Sequence, residues 1–332
     1  MRRILAFALI LALAAPVAVG QKAKKNRAPS RYGVSLTQQE DGSWTADKKV
    51  MSLLDGARPE GFFEPYKGTP FIAPESIADV PCEEVVYKTY PDRKLVMYIC
   101  RAMGVDGPAP VVCHIHGGGW RSGHPKGFVP KLKYIAKYCG LAGVSIQYTL
   151  EGQEGATITV TLQDLHDAVQ YLRDHAAEYN LDTRHLAFAG HSAGGHLSAM
   201  MAMTEPDAKV LSGWAGPYNL VSELKYWKDG PSPAMQRYFY GGKVRKIRSV
   251  SPIYLIPKKR QVAVQLFQGT CDPLVHYTQA LDFEAALKKA GQKTVECNIY
   301  EYYGHSITSA SCDKSEDLFF KFIQFVKDHI YD

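Results

Sequence analysis

The segment Gly190-His191-Ser192-Ala193-Gly194 constrains this chain more than any other. It stands between the apolar run His185 to Ala189 and a helix-like run from Gly195 to Met203, so it reads as a strand, a sharp turn and a helix with a serine at the apex. A turn that tight forces the serine into a sparsely allowed backbone region. The positions two before and two after it must lack bulk for strand and helix to approach, and Gly190 and Gly194 meet that demand. Ser192 then stands at a helix N-terminus, where the dipole and free N–H groups favour growing negative charge.

A serine hydroxyl is not appreciably ionised at neutral pH, so as a nucleophile it needs a base, and the base needs an orienting acid. On an elbow of this kind the order along the chain is serine, acid, histidine. His305 follows the strand-like run Thr294 to Tyr300 and sits on a loop at its end. Asp272 follows the strand-like run Val262 to Phe267 in the same way. The expected triad is therefore Ser192, Asp272 and His305. Glu296 lies inside a strand pattern and reads as a solvated outward face, Asp313 comes after His305 in the chain, and His276 opens a helix as a surface or capping residue.

A second glycine-rich stretch, His116-Gly117-Gly118-Gly119-Trp120, follows the short apolar run Pro110 to Ile115. Three glycines in a row leave backbone N–H groups unobstructed, which suits an oxyanion hole built against the amide of Ala193. His114, His124, His191 and His196 read as polar residues of helix or loop. No pair of them has metal-ligand spacing, so neither metal nor cofactor is expected.

Between these stretches strand-like and helix-like runs alternate. Val85 to Tyr90 and Leu95 to Cys100, divided by Pro91-Asp92, read as an antiparallel hairpin. Helical spacing follows at Phe128 to Tyr138 and Thr161 to Tyr179, with a strand at Ala142 to Tyr148 between them. Beyond the elbow come a strand near Val210 to Trp214, a helix from Thr278 to Ala290 and a helix from Ser315 to Ile330. The class is α/β, a mostly parallel sheet with helices on both faces. In such sheets ligands bind beyond the carboxyl ends of the strands.

The N-terminus reads as an export signal over residues 1–20. Arg2 and Arg3 precede an apolar run from Ile4 to Ala15, and Ala18-Val19-Gly20 offers small residues before a cut at Gln21. About twelve unbroken apolar residues fall short of the roughly twenty that a bilayer demands, so no membrane span is expected and the mature chain should be periplasmic or secreted. The formal charge is +6, two units of it on Arg2 and Arg3. Lys22, Lys24, Lys25, Arg27 and Arg31 cluster after the cut and read as a solvated tail rather than a nucleic-acid surface. Residues 21–82 form an arm without sustained periodicity, and 83–332 form one domain. The seven cysteines show no C-x-x-C spacing. Export permits disulfides, but the pairing stays open.

These motifs together, His116 to Trp120, Gly190 to His196, Gly269-Thr270-Cys271-Asp272-Pro273-Leu274-Val275 and Gly304-His305, with Asp164 and the helix Leu165 to Arg173, resemble the α/β-hydrolase superfamily. Within it the likeness is to exported bacterial serine esterases near the hormone-sensitive-lipase and carbohydrate-esterase groups. It covers about Glu83 to Asp332. The resemblance implies an oxyanion hole formed by the N–H groups of Gly118, Gly119 and Ala193, with His116 and Trp120 supporting that loop.

It also implies a serine carboxylesterase for small-molecule or polysaccharide esters carrying short or aromatic acyl groups. An arylformamidase-like amidase, a serine peptidase and a catalytically silent binding scaffold stay open beside it. An insertion at about 215–258 is rich in aromatics and reads as a lid or pocket wall, with Tyr218, Trp227 and Tyr240 as its substrate-facing side chains.

Overall fold

The computed structural model describes the strand backbones 36–38 and 44–46 and then residues 74–223, 232–240, 244–270, 272–300, 303–308 and 315–332. The expected signal at 1–20, most of the arm at 21–82, Trp227, Cys271, Cys312 and Asp313 lie outside the described residues. Strands β1 (Leu36–Gln38) and β2 (Trp44–Ala46) pair antiparallel with each other.

The main sheet has eight strands: β3 (Glu83–Thr89), β4 (Lys94–Cys100), β5 (Ala109–Ile115), β6 (Ala142–Ile146), β7 (Leu181–His191), β8 (Ala208–Trp214), β9 (Ala263–Gly269) and β10 (Val295–Tyr300). Their spatial order is β10-β9-β8-β7-β5-β6-β4-β3. From β10 to β6 every pair is parallel, whereas β4 runs antiparallel to both β6 and β3. The hairpin expected from Pro91-Asp92 is the β3–β4 pair. Strands β5 and β9 are buried at every position, as parallel strands covered on both faces must be, and so they are mostly apolar, with His114, Gln265 and Gln268 as their buried polar residues. The edge strand β3 alternates exposed and half-buried residues over most of its length.

Helices α1 (Val129–Tyr138), α2 (Ile158–Asp174), α3 (Ala176–Tyr179), α4 (Ala193–Thr204), α5 (Leu220–Glu223), α6 (Pro233–Tyr238), α7 (Val244–Ser249), α8 (Thr278–Lys289) and α9 (Ser315–His329) complete the chain. One core gathers Leu165 and Val169 of α2, Leu197 and Met201 of α4 and Phe283 and Leu287 of α8 against Val111, Cys113 and Ile115. The other gathers Leu132 and Ile135 of α1 and Phe322 and Val326 of α9 against Val112, Ala187 and Val210. Successive residues of β5 thus serve opposite faces, the two-residue period of a strand. No described helix is long and apolar enough to cross a membrane.

Local chemistry moves some boundaries from their expected places. The helix expected at Thr161 begins at Ile158, because the side chain of Thr157 accepts from the amide of Val160 at 3.3 Å and caps the first turn. It breaks at His175, and the short α3 ends on Asn180 in the left-handed region, φ 53°. The strand into the elbow reaches back to Leu181 rather than starting near His185. Cys82 and Cys100 form a disulfide, and Cys113, Cys139 and Cys297 are free.

Candidate active site

Ser192 follows the last residue of β7 and precedes α4, and its backbone has φ 59° and ψ −123°. A non-glycine residue held there stores strain, of the kind that clusters at reactive positions. The surroundings hold it in place. The Ser192 amide donates to the Trp214 carbonyl at 2.8 Å, and its carbonyl accepts from the His196 amide at 3.1 Å. A Cβ on Gly190 would stand 2.5 Å from both the Gly194 and the Ile115 carbonyl oxygens, and one on Gly194 would stand 2.1 Å from Ile115 O. The glycines are required by backbone packed against backbone, as the motif demands.

His305 and Asp272 meet the serine. Nε2 of His305 lies 2.8 Å from Ser192 Oγ, and Nδ1 lies 2.7 Å from Asp272 Oδ2. A carboxylate only accepts, so Nδ1 carries the proton and Nε2 is left to accept from the serine hydroxyl. Asp272 is buried, and four donors hold it. Oδ1 accepts from the amides of Leu274 and Val275 at 2.8 and 2.9 Å, while Oδ2 accepts from Gln268 Nε2 at 3.0 Å and from His305. A Cβ on Gly269 would stand 2.1 Å from Tyr303 O, so the acid's strand end and the histidine's loop touch directly.

The glycine loop lies against the elbow. A Cβ on Gly118, φ 120°, would stand 2.0 Å from Ser122 O, and the Gly118 carbonyl accepts from the amides of Arg121 and Ser122 at 3.2 and 3.1 Å. The amides of Gly118, Gly119 and Ala193 donate to no other group among the described residues. His116 is buried, its Nδ1–H donates to the Gly117 carbonyl at 2.9 Å, and its ring stacks on Tyr148 with centroids 4.3 Å apart. Burial pushes this imidazole down to about 4, against the partial support of the Gly117 carbonyl. Trp120 is buried in the left-handed region at φ 59°. Its Nε1–H donates to Nδ1 of His196 at 3.2 Å, and its ring meets Phe239 edge-on.

The remaining expected residues are placed as follows. Tyr218 is no pocket wall: it is fully buried in the core and stacks on Phe283 with centroids 4.7 Å apart. Tyr240 is half-buried, with Lys246 Nζ 5.1 Å from its ring centroid, and Trp227 lies outside the described residues. Glu296 is exposed, as its strand position implied. His276 is buried rather than on the surface, but it does serve the helix start: its Nδ1 accepts from the amide of Thr278, the first residue of α8, at 3.4 Å. His196 lies in a helix, α4, as expected, whereas His114 lies in strand β5 rather than in a helix or loop, and both are buried. Burial holds His196 near 4, and its Nε2–H donates to the Val250 carbonyl at 2.7 Å. His191 Nε2–H donates to the main-chain carbonyl of His305 at 2.6 Å. Among the described residues no group of three or more histidines, cysteines or acids is arranged to hold a metal ion.

The BD-FAE family model matches residues 97–287. An esterase of Gibberella moniliformis is 33% identical over 35% of this chain and 36% of that protein. A probable carboxylic ester hydrolase of Mycobacterium tuberculosis, LipM, is 26% identical over 58% of this chain and 48% of that protein. The chain thus spans about a third to a half of the length of these curated relatives. The solved apo form of Thermogutta terrifontis esterase 2 superposes with a TM-score of 0.63 at 23% identity, covering 75% of this chain and 96% of that one. That likeness carries the fold: an α/β-hydrolase sheet, as the strand order implies. With more than half of its length matched by the family model, the chain belongs to the BD-FAE family.

Proposed function

We propose that the protein is a serine carboxylesterase that removes short acyl or aromatic acyl groups, acetyl and feruloyl esters of plant polysaccharide among them. The observation that carries this reading is the line from Asp272 Oδ2 through the His305 ring to Ser192 Oγ, with hydrogen-bond lengths of 2.7 and 2.8 Å. In this mechanism His305 Nε2 takes the hydroxyl proton as Ser192 Oγ attacks the ester carbonyl carbon, and Asp272 stabilises the imidazolium. The carbonyl oxygen becomes an oxyanion against the amides of Gly118, Gly119 and Ala193. Loss of one such donor typically costs about 3 kcal/mol. The alcohol leaves with the proton from His305, and water repeats the sequence on the acyl-enzyme. Relatives named as esterases support the reaction class, and an acetyl esterase of Salmonella typhi, 29% identical over 33% of this chain, supports the short acyl group.

The test is hydrolysis of p-nitrophenyl acetate by the full chain and by Ser192→Ala. The wild type should turn over and the variant should lose on the order of 10⁶-fold in kcat. Acetylated xylan, a feruloylated glycan, N-formylkynurenine and an Ala-Pro dipeptide amide assayed side by side rank the substrate classes, and faster cleavage of either amide overturns the ester reading. The same proposal includes export with a cut before Gln21 and a substrate-facing insertion at about 215–258. N-terminal sequencing of the protein from culture fluid, beginning anywhere but Gln21, would refute the cut.

A further inference from the structure

We infer that His191 is a positioning residue that ties the main chain of His305 to the strand carrying the nucleophile. This rests on the esterase reading of the site. His191 ends β7 and immediately precedes Ser192. Its Nε2–H meets the His305 carbonyl oxygen at 2.6 Å across 114 positions of chain, and the two rings stand 4.7 Å apart, tilted by 48°. A carbonyl only accepts, so Nε2 must carry a proton. The ring is kept neutral near neutral pH. Burial first, then the neighbouring His305, push it down to about 4, with Lys131 acting in the same direction and Asp272 and the His305 carbonyl opposing.

The consequence lies in how His305 is fixed. Its side chain is aligned by Asp272, but a side chain can align only if its Cα is placed. Among the described residues His191 is the side chain that bonds the His305 main chain. One residue therefore sets the position of Ser192 through the covalent chain and the position of His305 through a hydrogen bond. A displacement on the order of 1 Å between reacting groups costs about 100-fold in rate. Neutrality matters as well, because His305 gains a positive charge during attack and a second cation one ring away would oppose it.

The test compares His191→Met, which fills similar space without a donor, with His191→Gln, whose side-chain amide can reach the same carbonyl. With p-nitrophenyl acetate, the Met variant should lose about 10- to 100-fold in kcat with KM within about threefold. The Gln variant should stay within about fivefold of wild type. A second readout needs no substrate: the low-field proton resonance of His305 Nδ1, identified by its loss in Asp272→Asn, should persist in the Gln variant and vanish in the Met variant.

Equal kcat in wild type and the Met variant, or equal losses in Met and Gln, would overturn the inference. If the Met variant does not fold, His191→Asn, whose amide falls short of the carbonyl, takes its place against Gln, and equal rates in that pair overturn it. A wild type that hydrolyses no ester would sink the proposed function, and the resonance comparison would still decide the role of His191.

Discussion

Gly117 and Ser192 lie so close that a Cβ built on Gly117 would stand 3.4 Å from the serine's Cβ and 2.6 Å from the His191 carbonyl oxygen. The second contact is with backbone, which cannot rotate away. Gly117→Ala should therefore push the glycine loop off the elbow and move its amides from where the oxyanion forms. We expect a fall of about 100- to 1000-fold in kcat on p-nitrophenyl acetate, with a melting temperature within a few degrees of wild type. Gly127→Ala is the control: nothing lies within 4 Å of its added Cβ, and kcat should not change.

Asp272→Asn separates charge from shape. The amide retains an oxygen for the amides of Leu274 and Val275 but no longer stabilises a protonated His305, and it favours the wrong imidazole tautomer. A loss of about 10⁴-fold in kcat is expected, with little change in KM. A variant within tenfold of wild type would show that another group orients the histidine.

Four buried imidazoles make stability depend on pH, and burial drives one of them, His114, well below its ordinary value. Burial holds His116, His191 and His196 near 4, below the ordinary value of about 6.5. Between those values the unfolded chain binds protons that the folded chain does not, so stability rises with pH. The contribution is complete above about pH 6.5 and is lost as pH falls toward 4, at up to about 1.4 kcal/mol per pH unit for each ring. Urea midpoints measured from pH 4 to 8 should fall steeply below 6.5, and less steeply in His116→Gln. Protonation of His196 would also remove the acceptor for Trp120 Nε1, so acid should loosen the glycine loop before it unfolds the domain.

The Cys82–Cys100 bridge closes a separation of 18 residues, and a loop of that size is worth about 3 kcal/mol by chain-entropy arguments. Cys82→Ser/Cys100→Ser should therefore melt several degrees lower than wild type. The bonds around Ser192 involve neither cysteine, so kcat at 25 °C should be retained.

Ser192, Asp272 and His305 were legible because each follows a strand end, and strand ends in an alternating α/β chain gather at one rim. The strained elbow was legible because its glycines meet backbone and nothing else could stand there. What escaped depends on partners distant in the chain. His191 looks like any polar residue until the His305 carbonyl is brought to it. Tyr218 reads as a pocket aromatic because its sequence neighbours are aromatic, yet the fold lays it on Phe283. The disulfide follows from the β3–β4 register, in which Glu83 faces Ile99 and the next positions outward are Cys82 and Cys100. Register is not readable from cysteine spacing alone.

Arg260 grips the other end of the elbow helix. Its guanidinium donates to the carbonyls of Ala202 and Met203 at 2.9 and 3.2 Å and to Ala208 at 2.7 Å, supplying positive charge where the helix dipole is negative. The serine thus rides on a rod anchored at its rear, and near its front His196 Nε2–H donates to the carbonyl of Val250, in the segment between β8 and β9, at 2.7 Å. Both ends of that rod are tied to main-chain carbonyls, and this holds the strained Ser192 backbone where β7 delivers it.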